Sequence, residues 1–159
     1  MTDTESHYLN NAALTGGIFY IEYSTVTLTG VEIETTYAVD GGVFYGYDKS
    51  TLTVQSSSTR TSTITATSVL GQGGIGYFAE NPSYAVATDT YKIVFKDTSI
   101  ATTEAYLEGG AFYLDSEQLV HMTLETVTMT GTSSKTKAGG VIYVNSMKGP
   151  LFISNSQFT

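Results

Sequence analysis

GGIFY at residues 16–20 returns as GGVFY at 41–45, GGIGY at 73–77, GGAFY at 109–113 and GGVIY at 139–143. Two glycines, a small aliphatic residue, a variable residue and a tyrosine thus recur five times in 159 residues. Self-similarity at a spacing of a few tens of residues marks stacked structural units. A second motif follows each of the five. It reads VTLTGVEI from Val26 to Ile33, LTVQSSST from Leu52 to Thr59 and IVFKDTSI from Ile93 to Ile100. It reads MTLETVTM from Met122 to Met129 and LFISNSQF from Leu151 to Phe158. The shared pattern is apolar, x, apolar, x, x, Val/Ser/Thr, x, apolar, with Thr59 as the polar exception.

Alternation at period two predicts a strand with one buried face. The three-residue step in the middle breaks that parity. A slip of one residue sends every later side chain to the wrong face unless the chain bends. Each second motif is therefore expected to be two short strands joined by a tight corner, at Gly30, Ser56, Asp97, Thr126 and Asn155. With the GG-x-x-Y strand, each unit holds three short strands. Helical periodicity is nearly absent, so no crossover helices connect parallel strands. A chain winding round itself is the remaining solution, rising about 4.8 Å per coil.

The expected fold is all-β: a right-handed parallel β-helix, or β-solenoid, of about five coils with three strands each. The coils are expected at approximately 16–40, 41–72, 73–108, 109–138 and 139–159 of a single 1–159 domain. Two long insertions are expected between constant strands. One is FAENPSYAVATDTY at 78–91; the other is the return STITATSVLGQ at 62–72. The first fifteen residues look like the tail of a preceding coil, and LFISNSQF runs to the end without a polar cap. The chain is expected to be a segment of a longer solenoid, or to stack end to end, because an open edge invites pairing.

Composition narrows the partners. The net charge is −8, which disfavours DNA and RNA. There is no cysteine, hence neither a disulfide nor a thiolate metal site. No apolar run reaches the ~20 residues of a membrane-spanning helix.

The units GGIFYI, GGVFYG, GGAFYL and GGVIYV, with their L-x-V/I-x-x-S/T strands and NNAALTGG at 10–17, resemble the pectin-lyase-like β-helix repeat proteins. They are most similar to the repeats of polymorphic outer-membrane proteins and of large protist surface proteins. The family's F-x-x-N element before the glycine pair is largely missing. Asn10 and Asn11 are its candidate remnant, and Ile33, Ile100 and Met129 have no Asn three places on. The resemblance implies a surface or extracellular role in adhesion or structure, with enzymes a minority.

Several local patterns invite chemistry without supporting it. GQGGIG at 71–76 satisfies G-x-G-x-x-G, but no helix follows to receive a phosphate. Asp40 and Glu108 each precede a glycine pair, yet Gln72 lies between them, so no facing pair of acids emerges. Arg60 is the only arginine, and His7 and His121 are far apart in the repeat. Asp97 lacks any calcium-loop pattern. No base accompanies the many Ser and Thr residues. No cofactor or metal is expected.

Tyr20, Tyr45, Tyr77, Tyr113 and Tyr143 share one register position and are the candidate interaction residues. At position four (Phe19, Phe44, Gly76, Phe112, Ile142) and position six (Ile21, Gly46, Phe78, Leu114, Val144), glycines are matched by phenylalanines, as though volume were conserved. Those positions are expected to face inward. The tyrosines are expected outward, beside Ile18, Val43, Ile75, Ala111 and Val141. Two readings stay open: a self-supporting ladder, or a docking face for another chain, a neighbouring filament or sugar rings. The expected function is a non-enzymatic structural or adhesive solenoid of a cell surface or extracellular fibre. Neighbouring copies, or glycans, are its expected partners. A carbohydrate-binding or polysaccharide-cleaving β-helix is the alternative, and an intracellular scaffold segment a third.

Overall fold

The period-two stretches all become strands. A computed structural model describes residues 1–47, 49–80, 90–116, 119–147 and 149–159, and among these there is no helix. The strands form three parallel sheets, each built from one strand per lap of a β-solenoid of about five turns. The glycine-pair sheet contains Phe19–Ile21, Phe44–Gly46, Gly76–Ala79, Phe112–Asp115 and Ile142–Ser146. The second sheet contains Thr2–Thr4, Thr25–Thr29, Thr51–Gln55, Thr90–Lys96, Leu119–Glu125 and Leu151–Ser154. The third contains His7–Ala12, Glu32–Ala38, Ser62–Val69, Thr98–Ala105, Thr128–Thr130 and Gln157–Phe158, with Ser133–Ser134 added beside Thr98–Ala105. Residues 2–12 supply a partial lap before the first glycine pair, in register with the strands at 25–29 and 32–38.

The two glycines of each pair have different jobs. The first sits at positive φ in all five laps, from +56° at Gly16 to +79° at Gly139, a conformation that glycine adopts without steric cost. The second lies against the next lap. A Cβ on Gly17, Gly42, Gly74 or Gly110 would fall well under 3.0 Å from the carbonyl oxygen of Gly42, Gly74, Gly110 or Gly140 respectively. Lap-to-lap hydrogen bonds hold that approach, such as Gly42 N to Gly73 O at 3.2 Å and Gly110 N to Gly139 O at 2.8 Å. The repeated doublet is thus a corner residue followed by a contact residue.

The middle of the second motif turns as expected. Gly30, Asp97, Thr126 and Asn155 all have positive φ, and Glu5 takes the same place in the partial first lap. Ser56 does not, and here the sequence expectation fails. The residue beside Ile33 and Ile100 is Ile64, not Thr59. Residues 56–61 are an inserted loop, and 62–69 is the third-sheet strand rather than a return. The loop is closed by Ser57 Oγ, which accepts from the backbone N–H of Arg60 at 2.9 Å, and by Ser62 Oγ, which donates to Gln55 O at 2.6 Å. Of the other expected insertion, Phe78 and Ala79 belong to a strand, as do Thr90 and Tyr91, while 81–89 lie outside the described residues.

A further corner divides the third sheet. Asn10, Thr35, Ala66, Thr102 and Gly131 fall at one level and all have positive φ. Beyond it, Thr36, Thr67 and Thr103 turn inward and are buried, in register with Asn11. Asn11 stands three residues after the inward Tyr8, and threonines take the equivalent place in the next three laps. Thr103 Oγ1 donates to Gly110 O at 3.1 Å, tying this corner to the glycine column.

The core runs the length of the solenoid. Phe19 and Phe44 stack at 5.5 Å, and Phe95 from the second sheet fills the break in that ladder at Gly76, 5.0 Å from Phe112 and 6.2 Å from Phe44. Phe78 lies across Gly46 and Gly76, so closely that a Cβ on either would meet its ring. The expected exchange of volume is therefore real, but for Gly46 the filling ring comes from the following lap.

Candidate functional site

The tyrosine position follows from the strand that carries it. In Phe112–Asp115, Phe112 and Leu114 point into the core, so Tyr113 between them points out. The same holds for Tyr20, Tyr45 and Tyr77, each paired with its equivalent in the next lap. All five rings form one column, with centroid separations of 5.6, 4.9, 5.0 and 5.3 Å and interplanar angles of 13° or less.

Position three does not join them. Val43, Ile75 and Ala111 are fully buried in the core, and Ile18 and Val141 are half-buried against it. The cause is a corner between positions three and four. The N–H groups of both Val43 and Phe44 donate to Ile75 O, at 2.9 and 2.8 Å, and those of Ile75 and Gly76 both donate to Ala111 O. Two successive residues therefore face inward, and alternation begins only after them. The outer face consists of tyrosines without the expected aliphatic neighbours. At position six, Val144 is exposed, in contrast to Ile21, Phe78 and Leu114.

The column is largely self-covered. Tyr45 and Tyr113 are only 8% and 6% exposed, whereas Tyr20, the ring of the first glycine-pair lap, is 53% exposed. Tyr47, two residues beyond Tyr45 on the same face, packs edge-on at 5.1 Å and shares a hydroxyl hydrogen bond of 2.9 Å with it. Period-two spacing was the signal for Tyr47, which a search for equivalent positions in the repeat passes over.

Burial sets the chemistry of these phenols. It pushes Tyr113 up to about 12, with the Asp115 and Glu108 carboxylates adding to the effect. Burial likewise raises Tyr45, helped by the bond to Tyr47, and raises Tyr77, helped by Tyr113. A raised folded-state value favours the fold while the group is protonated in both states. That contribution is complete below the ordinary value of 10.0 and fades as pH rises towards about 12. The expected result is a stable protein at pH 9 that unfolds cooperatively above pH 10, with phenolate absorbance appearing together with loss of the β-sheet circular dichroism signal. Tyrosine ionisation well below that unfolding would contradict the packed column.

Beside the column runs a polar row. Gln72 Nε2 donates to Glu108 Oε2 at 2.9 Å, the Gln72 N–H donates to Asp40 Oδ1 at 2.8 Å, and Lys137 Nζ meets Glu108 Oε1 at 2.9 Å. Burial alone would raise the Glu108 carboxyl. The donors from Gln72 and Lys137 outweigh it and hold the group below its ordinary range. Gln72 thus bridges the two acids and occupies the space between them, an arrangement unlike two acids flanking a bond. On the other side, Tyr47, Tyr77, Ala79, Glu80, Asp115, Asn145 and Ser146 line an open groove of about 630 Å³. In it Asn145 Nδ2 donates to Asp115 Oδ1 at 3.0 Å.

Asp97 lies at its corner, where its carbonyl accepts from Ser56 Oγ. GQGGIG at 71–76 runs from the connection after the strand Ser62–Val69 into the strand Gly76–Ala79. Compared with known proteins, the chain matches no family model, no curated protein and no solved structure.

Proposed function

We propose that the chain is a non-enzymatic structural or adhesive β-solenoid of a cell surface or extracellular fibre, and that copies join end to end with the tyrosine column continuing through the joint. The observation that carries this reading is the column itself. Rings stacked face to face cover one another, so along its length it offers edges and hydroxyls, and Tyr20, in the first glycine-pair lap, is half-exposed. A half-exposed aromatic residue on an edge strand suits another lap of the same fold better than it suits a soluble ligand. At the opposite end, Val144, Leu151 and Ile153 are exposed. Leu151 and Ile153 are in register with the buried Met122 and Leu124. A second copy placed in register would cover them. The resemblance of the GG-x-x-Y units to surface-protein repeats supports the location.

Sedimentation velocity and electron microscopy across a concentration series test this. The native chain is expected to form rods that lengthen with concentration, and Ile153→Lys to remain short. A strictly monomeric native chain would remove the proposal.

The groove beside Tyr77 favours a second reading, a carbohydrate-binding surface. Two carboxylates, an amide, a hydroxyl and two aromatic rings suit neutral sugars better than acidic ones. Saturable binding of neutral oligosaccharides by monomers, lost in Asp115→Ala, would favour that reading over assembly.

A further inference from the structure

On the outer face of the third sheet, three side chains from two adjacent strands meet. Glu32 and Glu34 alternate along one strand, so both point out. His7 lies on the neighbouring strand, directly beside Glu32 in the register. One ligand atom from each of the three lies within 4.8 Å of the others. His7 Nε2 and Glu34 Oε2 are 3.8 Å apart, too far for a hydrogen bond. Two ligands held about 2.1 Å from one tetrahedral ion would stand about 3.4 Å apart, so small rotations of these partly exposed side chains close the set.

We propose that His7, Glu32 and Glu34 form a binding site for one divalent transition-metal ion of the zinc type, which clasps the partial lap at residues 2–12 to the lap that follows it. One imidazole and two carboxylates are ligands of borderline character, suited to zinc and its neighbours. Calcium calls for six to eight oxygen ligands and has no use for an imidazole nitrogen. Arg60 pairs with Glu32 Oε2, but a carboxylate has two oxygens and about four lone pairs, so the arginine does not exhaust it. Arg60 also donates to Glu5 O at 2.9 Å, binding the same partial lap from the inserted loop. The ion would span two strands whose outermost member, His7–Ala12, has a sheet neighbour on one side only. Its effect is to stiffen that edge.

The test uses the untagged 159-residue chain, zinc chloride and titration calorimetry, with amide hydrogen exchange as the second readout. Expected are one zinc per chain and slower exchange across residues 7–12. His7→Ala and Glu34→Gln are each expected to weaken zinc binding about tenfold or more, while His121→Ala, which changes the other histidine, binds as the native chain does. The proposal is overturned by an absence of saturable zinc binding, by native affinity in His7→Ala, or by calcium binding equally well at the same residues.

Discussion

Gly74→Ala is expected to destabilise the solenoid by about 4 kcal/mol or more, enough to leave much of the chain unfolded at room temperature. The added methyl would meet the carbonyl carbon and oxygen of Gly110 in the next lap and the backbone of Glu104. No rotamer change relieves a clash between backbone atoms. The laps must part, which also breaks the bond from Gly74 N to Gly109 O. Gly140→Ala is the internal control, because a Cβ there meets nothing within 4 Å. It is expected to change stability by no more than about 0.5 kcal/mol. Urea denaturation of the two variants checks both. Equal midpoints would mean that the glycine pairs do not lie lap on lap.

Tyr45→Ala has the next largest expected effect, a loss of about 3 kcal/mol. The ring is nearly buried, stacks on Tyr20 and Tyr77 and meets Tyr47 edge-on. Truncating a buried aromatic residue to alanine costs about 3–5 kcal/mol, and stacked pairs add about 0.5–1.5 kcal/mol beyond area. Tyr20→Ala, at a ring that is half-exposed, is expected to cost about 1 kcal/mol. Tyr45 and Tyr113 both stack on Tyr77, so Tyr45→Ser and Tyr113→Ser should not add. That pair of changes also separates the two roles of the column. If rod formation by the folded double variant equals that of the native chain, the column is a stabilising ladder and takes no part in assembly. Loss of rods below its own melting transition places the column in the joint.

The aim of the column was only half legible. Equal spacing put five tyrosines in one row, and alternation with Phe112 and Leu114 turned them outward. Their mutual cover was not legible, because it depends on ring planes lying parallel, which a repeat position does not specify. The neighbours at position three went wrong for a related reason. Period two holds within a strand, but one carbonyl that accepts from two successive N–H groups marks a corner, and the phase restarts there. In the second lap the motif matched LTVQSSST, although the inward residue came five positions later, at Ile64. A loop of polar residues resembles a degenerate strand until the register of the adjacent laps is known.

By itself the sequence determined the number of laps, the three strands in each and the alignment of equivalent residues into rows. These are local periodicities repeated, and a solenoid adds only the stacking of each unit on the next. The tertiary structure alone decided which residues at the corners face inward, how much of the tyrosine row meets solvent, and that His7 stands beside Glu32 and Glu34. Such outcomes depend on backbone conformation at left-handed corners and on contacts between laps, and neither is written in the spacing of residue types along the chain.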